Sequence, residues 1–292
     1  MTSPRPAETV MLIREIPDSP EGLIVFLMRR HAAMELVARA MVFSGGGVDD
    51  RDRNVYIAWA GPLLAWWAQR FGVTADLVEA LVCATARETF EETGVLFAGP
   101  VGRSLSSLGG IVTDASVYGE GRRALADRTL SFADFLHREN LVLRSDLLRP
   151  WVNWVTPEAE PTRRYDTYFF FVGVLPEGQR PHGENIESDR TFQAVADDFA
   201  ANRNFLLPPN WTQLGALIGH TVADVLAVER QVVFVAATSG EAGRQLGDRV
   251  FRLRSLQPGA DFRWIVAVAV VVSASAAKPG TAGKHHRLMR SS

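Results

Sequence analysis

The segment Arg87-Glu88-Thr89-Phe90-Glu91-Glu92-Thr93-Gly94-Val95 constrains this chain more than any other. On a helix, Glu91 and Glu92 lie three and four residues beyond Glu88, so the three carboxylates project from one face within a few ångströms of each other. Like charges that close repel, and the bland reading is a solvated acidic face on which water screens them. The chemical reading is a hard divalent cation, Mg²⁺ or Mn²⁺, which prefers oxygen ligands and bridges to substrate phosphate. Arg87 sits one residue off that face and can pair with a neighbouring acid.

The surroundings support a helix ending at this site. Thr74 or Asp76 can cap its start, Leu77, Leu81 and Ala84 carry the apolar spacing, and Gly94 stands where a C-cap glycine belongs. A preceding helix begins near Pro62 and carries Leu63, Leu64, Trp66, Trp67 and Phe71 up to Gly72. Residues 9–14 and 23–29 read as a strand pair around a Pro/Asp/Gly turn, and 41–43 as a short strand running into Ser44-Gly45-Gly46-Gly47. Glycines there let the backbone approach a ligand closely. Further on, helices are expected at 122–127 and 132–138, the latter capped by Ser131, and at 195–201, 211–218 and 222–229. Strands are expected at 95–97, 151–155, 165–175, 231–236 and 264–272, with 176–190 as a loop. Strands interleaved with helices indicate an α/β or mixed sandwich.

Bulk properties exclude several function classes. A net charge of −2 provides no field for gathering a nucleic-acid backbone, so a small-molecule partner is expected. One cysteine, Cys83, excludes an intramolecular disulfide and a zinc site of several thiolates, and its apolar neighbours place it in the core. The apolar run 264–272 is about half the length a membrane-spanning helix needs, and residues 1–9 carry no signal-like run, so no membrane partner and a cytoplasmic location are expected. None of the six histidines stands at ligand spacing, and no Gly-x-Ser-x-Gly turn occurs. The aromatics Trp66, Trp67 and Phe90 read as core rather than as base-stacking platforms.

The acidic segment resembles the Nudix box: Gly, five residues, Glu, seven residues, then Arg-Glu-apolar-x-Glu-Glu-x-Gly-apolar. Glu79 falls on the first glutamate, and Arg87, Glu88, Glu91, Glu92, Gly94 and Val95 match their positions. Thr89 departs from an apolar position, and the expected glycine is Val73, with Gly72 one residue early. Phe43-Ser44-Gly45-Gly46-Gly47 resembles the Phe-Pro-Gly-Gly element that normally precedes the box, with Ser44 at the Pro position, which is expected to loosen the loop. Roughly 30 residues intervene between those glycines and Glu79. Such an insertion is similar to the Nudix branch containing the peroxisomal CoA diphosphatases of animals and actinobacterial relatives, as are Leu27-Met28-Arg29-Arg30-His31 and Arg163-Arg164-Tyr165-Asp166-Thr167.

The resemblance implies a Nudix α/β/α sandwich with a mixed sheet and helical insertions, spanning 1–236 with the insertion at about 50–75. It leaves 237–292 as a divergent C-terminal segment whose tail is expected to be disordered from about 273. It implies metal-dependent cleavage of a diphosphate linkage, with CoA or acyl-CoA as first substrate and ADP-ribose or an NADH-like molecule second. Metal would be held by Glu88, Glu91 and Glu92, with Glu91, Glu92 and the loop acid Glu187 catalytic. Glu79, Arg87 and Gly94 would be structural, and Gly45, Gly46, Gly47, Arg30 and Arg164 would contact the substrate. Asp49 and Asp52 could reach the metal through water, although turn chemistry accounts for them as well. A homodimer stays open, and so does the alternative of a non-catalytic Nudix-fold nucleotide sensor.

Overall fold

A computed structural model describes residues 5–16, 22–29, 40–53, 56–102, 110–155, 165–183, 186–201, 203, 205–206, 208–227, 232, 234–239 and 251–255. The chain opens with β1 (Arg5–Glu15), β2 (Leu23–Arg29), β3 (Ala40–Val42) and β4 (Trp59–Ala60), then helices α1 (Leu64–Phe71) and α2 (Ala75–Thr93). Next come β5 (Ala98–Pro100), α3 (Gly119–Ala126), α4 (Phe132–Arg138), β6 (Leu141–Arg144), β7 (Leu148–Val155), β8 (Tyr165–Val174) and β9 (Ile186–Thr191). The remainder is α5 (Phe192–Ala200), β10 (Phe205–Leu206), α6 (Pro208–Gly215), α7 (Val222–Ala227), β11 (Phe234–Ser239) and β12 (Phe251–Ser255).

Nine strands form one mixed sheet in the order β10-β3-β2-β1-β8-β7-β11-β12, with β9 on β2. Its central pair, β1 and β8, runs parallel, whereas β1–β2 and β7–β8 are antiparallel. Alternation along β1 explains why both faces are covered. Val10 and Leu12 join a cluster with Trp67, Phe71, Leu81, Phe90 and Phe135 from α1, α2 and α4, while Met11 and Ile13 join one with Val195, Leu214 and Val225 from α5, α6 and α7. The result is the expected α/β/α sandwich. A second, three-stranded sheet, β4-β6-β5, lies with the α1/α2 cluster.

Helix α2 is capped as its residues dictate: the Thr74 hydroxyl accepts from the Leu77 N–H, and Gly94 adopts the left-handed conformation at its end. Its middle is buried on nearly all sides, which leaves the hydroxyls of Thr85, Thr89 and Thr93 without water. Each donates to the carbonyl four residues earlier, at 2.8, 2.6 and 2.7 Å respectively. Thr89 therefore fills an apolar position without an unmet donor. Cys83 is buried beside these residues, as its neighbours imply.

Several expected elements shift. Residues 95–97 are buried but form no strand, because Gln179 takes the place of a neighbouring strand: its Nε2 donates to the Leu96 carbonyl and its Oε1 accepts from the Leu96 N–H. The strand starts at Ala98. Residues 186–190, read as the end of the 176–190 loop, belong to β9, paired antiparallel to β2. Its polar sequence hides a strand because only one edge is paired in this sheet. The short strands β4, β6, β10 and β12 escape periodicity for want of length. The segment 264–272 and the tail from 273 lie outside the described residues.

Candidate active site

The glycine-rich segment forms the roof of the site by changing partners. Residues 41 and 42 pair with β2, after which Ser44 and Gly47 bridge to Val10 and Ala7 of β1. This brings the segment across the C-terminal turns of α2. At Gly45 a Cβ would run into the Glu8 carbonyl and Thr9 Cα, and at Gly46 it would stand 2.6 Å from the Glu88 carboxylate carbon. At Gly45, where the obstacle is backbone and φ is +155°, only glycine permits so close an approach, whereas a Cβ at Gly46 would displace the Glu88 carboxylate.

Beneath that roof, Arg87 organises the acids. Its Nε and Nη2 each donate at 2.8 Å to the two oxygens of Asp52, a bidentate pair in which the side chains are 3% and 0% exposed. Its Nη1 donates to Glu88 at 2.9 Å and to Glu91 at 3.1 Å, and Nη2 also approaches the Gly47 carbonyl at 3.5 Å. Burial works to depress the Arg87 pKa, but the Asp52 hydrogen bonds and the charges of Glu88, Asp52 and Glu91 outweigh it and hold the guanidinium charged. Part of the repulsion among the acids is therefore offset by the protein itself.

Asp52 is the structural partner that sequence spacing did not reveal. It also accepts from the Asp49 N–H at 2.8 Å, closing a capping box over the 3-10 turn Asp50–Asp52, and from the Cys83 thiol at 3.7 Å. Turn chemistry and a buried ion pair thus account for Asp49 and Asp52. The signal lay in the pairing of an acid just after the glycines with the box arginine.

Glu92 faces the roof directly. Its Oε2 accepts from the Ser44 hydroxyl at 2.7 Å and the Gly45 N–H at 3.0 Å. Ser44 thus ties the loop down instead of loosening it, by a donor that proline lacks. Burial raises the Glu92 pKa to about 7, with Ser44 and Gly45 opposing and Glu88 and Glu91 adding to the rise. Glu91 is also raised, by burial first, with Arg87 opposing.

A fourth acid enters from β1. Glu8 is 1% exposed; its Oε1 accepts from the Gly46 N–H at 3.0 Å, while its buried Oε2 has no partner among the described residues. Burial, then the charge of Glu88, push its pKa well above the ordinary carboxylate range. The expected strand began at residue 9, one position too late to include it. Since Gly45 and Gly46 give their N–H groups to Glu92 and Glu8, in this arrangement they hold acids of the protein itself.

The other candidates divide. Gly94 ends α2, and Arg122 from α3 caps the same end, donating to the Glu91 and Glu92 carbonyls at 3.0 and 3.1 Å. Glu79 lies nine residues before Glu88 on α2, about 13 Å along the axis, and among the described residues no hydrogen bond joins it to the cluster. Glu187 stands within β9 opposite Leu27. Arg30 and Arg164 lie outside the described residues. Glu88 and Glu91 are turned onto Arg87, and among the described residues no three acidic, His or Cys side chains already stand together as a metal cage. The donor set nevertheless fits a hard cation: it is carboxylate-rich, and buried oxygens of both Glu91 and Glu8 have no hydrogen-bond partner among those residues.

A model of the NUDT19 Nudix domain matches residues 72–217, half of the chain. The chain belongs to the Nudix hydrolase family. Acyl-coenzyme A diphosphatase NUDT19 of Gallus gallus is 33% identical over an alignment of 149 residues that covers 46% of this chain and 39% of that protein. The chain therefore spans about two fifths of that relative's length. Among solved structures, a NUDIX hydrolase from Alicyclobacillus acidocaldarius matches with a TM-score of 0.61 at 20% identity, over 79% of this chain and 99% of the other. That likeness is one of fold, and it agrees with the sandwich. Among the described residues no helix is long and apolar enough to cross a membrane.

Proposed function

We propose that this Nudix protein hydrolyses the diphosphate linkage of CoA or an acyl-CoA, giving a phosphopantetheine product and adenosine 3′,5′-bisphosphate. The carrying observation is the gathering of Glu88, Glu91 and Glu92 on the last turns of α2 under the Gly45–Gly46 roof, with Arg87 between the acids. The name of the Gallus gallus relative supports the choice of CoA over ADP-ribose or an NADH-like substrate. Glu88, Glu91 and Glu92 would hold Mg²⁺ or Mn²⁺, which when bound neutralises diphosphate charge and lowers the pKa of a water toward neutrality.

The remaining work belongs to the chain. Arg87 holds Glu88 and Glu91 in register through its Nη1 contacts, and it is itself held by the bidentate pair with Asp52. The Gly45 N–H and Ser44 hydroxyl orient Glu92, and Arg122 secures the backbone that carries Glu91 and Glu92. We assign Glu187 as the distal acid, from its place in β9 against β2.

Incubating the protein with Mn²⁺ and a panel of CoA species, ADP-ribose and NADH, with products identified by mass spectrometry, tests the reading. Turnover of CoA species, falling at least about a hundredfold in Glu92→Gln and Glu91→Gln, is the expected outcome. Tight nucleotide binding without turnover would establish the sensor alternative in its place.

A further inference from the structure

Glu8 is the buried acid that the machinery described above does not use. It lies two residues before Val10 on β1, so its side chain leaves the sheet on the face covered by α2, where Thr85, Glu88 and Glu92 stand among the apolar residues of the core. A carboxylate there is costly unless something compensates it. One oxygen receives the Gly46 N–H; the other has no hydrogen-bond partner among the described residues, because the nearby Thr85 hydroxyl donates to the Leu81 carbonyl at 2.8 Å.

Arg87 has nothing left to offer. Its five N–H groups are directed to Asp52, Glu88, Glu91 and the Gly47 carbonyl. Gly46 places Glu8 next to the helix acids: its N–H meets the Glu8 carboxylate, and a Cβ on its other side would touch the carboxylate of Glu88. A second carboxylate oxygen of this cluster, Oε1 of Glu91, is buried and equally without a partner. Two unpartnered buried oxygens from different elements, each on a residue that couples to Glu88, leave acceptor capacity that a cation could fill and that the hydrogen bonds among the described residues do not.

We propose that Glu8 is a further ligand of the divalent cation, contributing from β1 through Oε2 alongside the acids of α2. The proposal rests on the metal-dependent reading above. It differs in adding to the metal site a side chain from the central sheet, outside the Nudix box. A rigid strand would then fix the ion against the glycine roof, because the same carboxylate holds Gly46 with its other oxygen.

The competing account is a neutral acid that serves only to anchor Gly46. Glu8→Gln separates the two, since the amide oxygen still accepts from Gly46 but the amide is a poor ligand for a hard cation. Mn²⁺ binding to the full chain is measured by electron paramagnetic resonance, beside thermal melts with and without Mn²⁺. Glu8→Gln is expected to weaken Mn²⁺ binding at least roughly tenfold and to shrink the Mn²⁺-induced rise in Tm, with a metal-free Tm at or above that of the parent protein. Mn²⁺ affinity within twofold of the parent overturns the proposal while leaving the metal-dependent function standing. Absence of Mn²⁺ uptake by the parent protein removes both. Should Glu8→Gln fail to fold, Glu8→Asp keeps the charge on a shorter arm, and the same loss of affinity is expected; unchanged affinity there is equally fatal to the proposal.

Discussion

Asp52 and Glu8 are both buried carboxylates beside the same glycine loop, one through Arg87 and one through the Gly46 N–H, and they are treated in opposite ways. Asp52 receives two guanidinium N–H groups and a backbone N–H, so its charge is matched within the protein. Glu8 receives one backbone N–H and stands in the field of Glu88 and Glu92. The first region is a finished structural joint. The second leaves Glu8 Oε2 without a hydrogen-bond partner among the described residues, and under our proposal a cation would complete it on the β1 and Glu92 side of Arg87.

The sharpest way to break this contrast is Asp52→Ala. It leaves the Arg87 charge buried without its bidentate partner and is expected to destabilise the fold by about 3–5 kcal/mol, measured by urea denaturation. A loss below about 1 kcal/mol would mean that Asp52 is not the joint described.

The pH dependence comes next. For Glu92 the folded pKa, about 7, exceeds the ordinary 4.5, and that of Glu8 is raised as well. Between those values the folded state binds more protons than the unfolded one, so this contribution is complete below pH 4.5 and is lost as pH rises through 7. Metal-free thermal melts are expected to show Tm falling from pH 5.5 to 8, with a shallower fall in Glu92→Gln. Mn²⁺ requires ionised ligands, so its stabilising effect is expected to grow over the same interval. A metal-free Tm independent of pH would erase the distinction between the two regions.

The smallest effect is expected at Ser44→Ala. Losing the 2.7 Å hydrogen bond to Glu92 should cost about 1–2 kcal/mol in denaturant unfolding and steepen the pH dependence, because one group favouring the ionised carboxylate is gone.

The helix and its acids were legible from the sequence because they are local: capping, apolar spacing and the i, i+3, i+4 positions all lie within one element. Arg87 announced itself in the same way, but its partner Asp52 did not, since it lies 35 positions away and meets the helix only through the fold. Glu8 was missed for a related reason: a single acid at the start of an apolar strand resembles strand-end chemistry until the topology lays Gly46 against it. β9 was read as loop because pairing along one edge imposes little alternation. The tie from Gln179 to Leu96 replaced an expected strand, and glutamine carries no local sign of such use.

The Arg87–Asp52 joint also bears on how this chain accommodates extra length. Asp52 stands where the chain leaves the glycine loop, and Arg87 lies on the helix to which it returns, so residues 53–74 form an excursion pinned at its base. Closing such a loop depends only weakly on its contour, at about 0.6 kcal/mol per doubling. Additional length can therefore be accepted at the exposed turns of that excursion while the joint keeps the dimensions of the site, whereas α1 itself is fixed by Trp67 and Phe71 in the core.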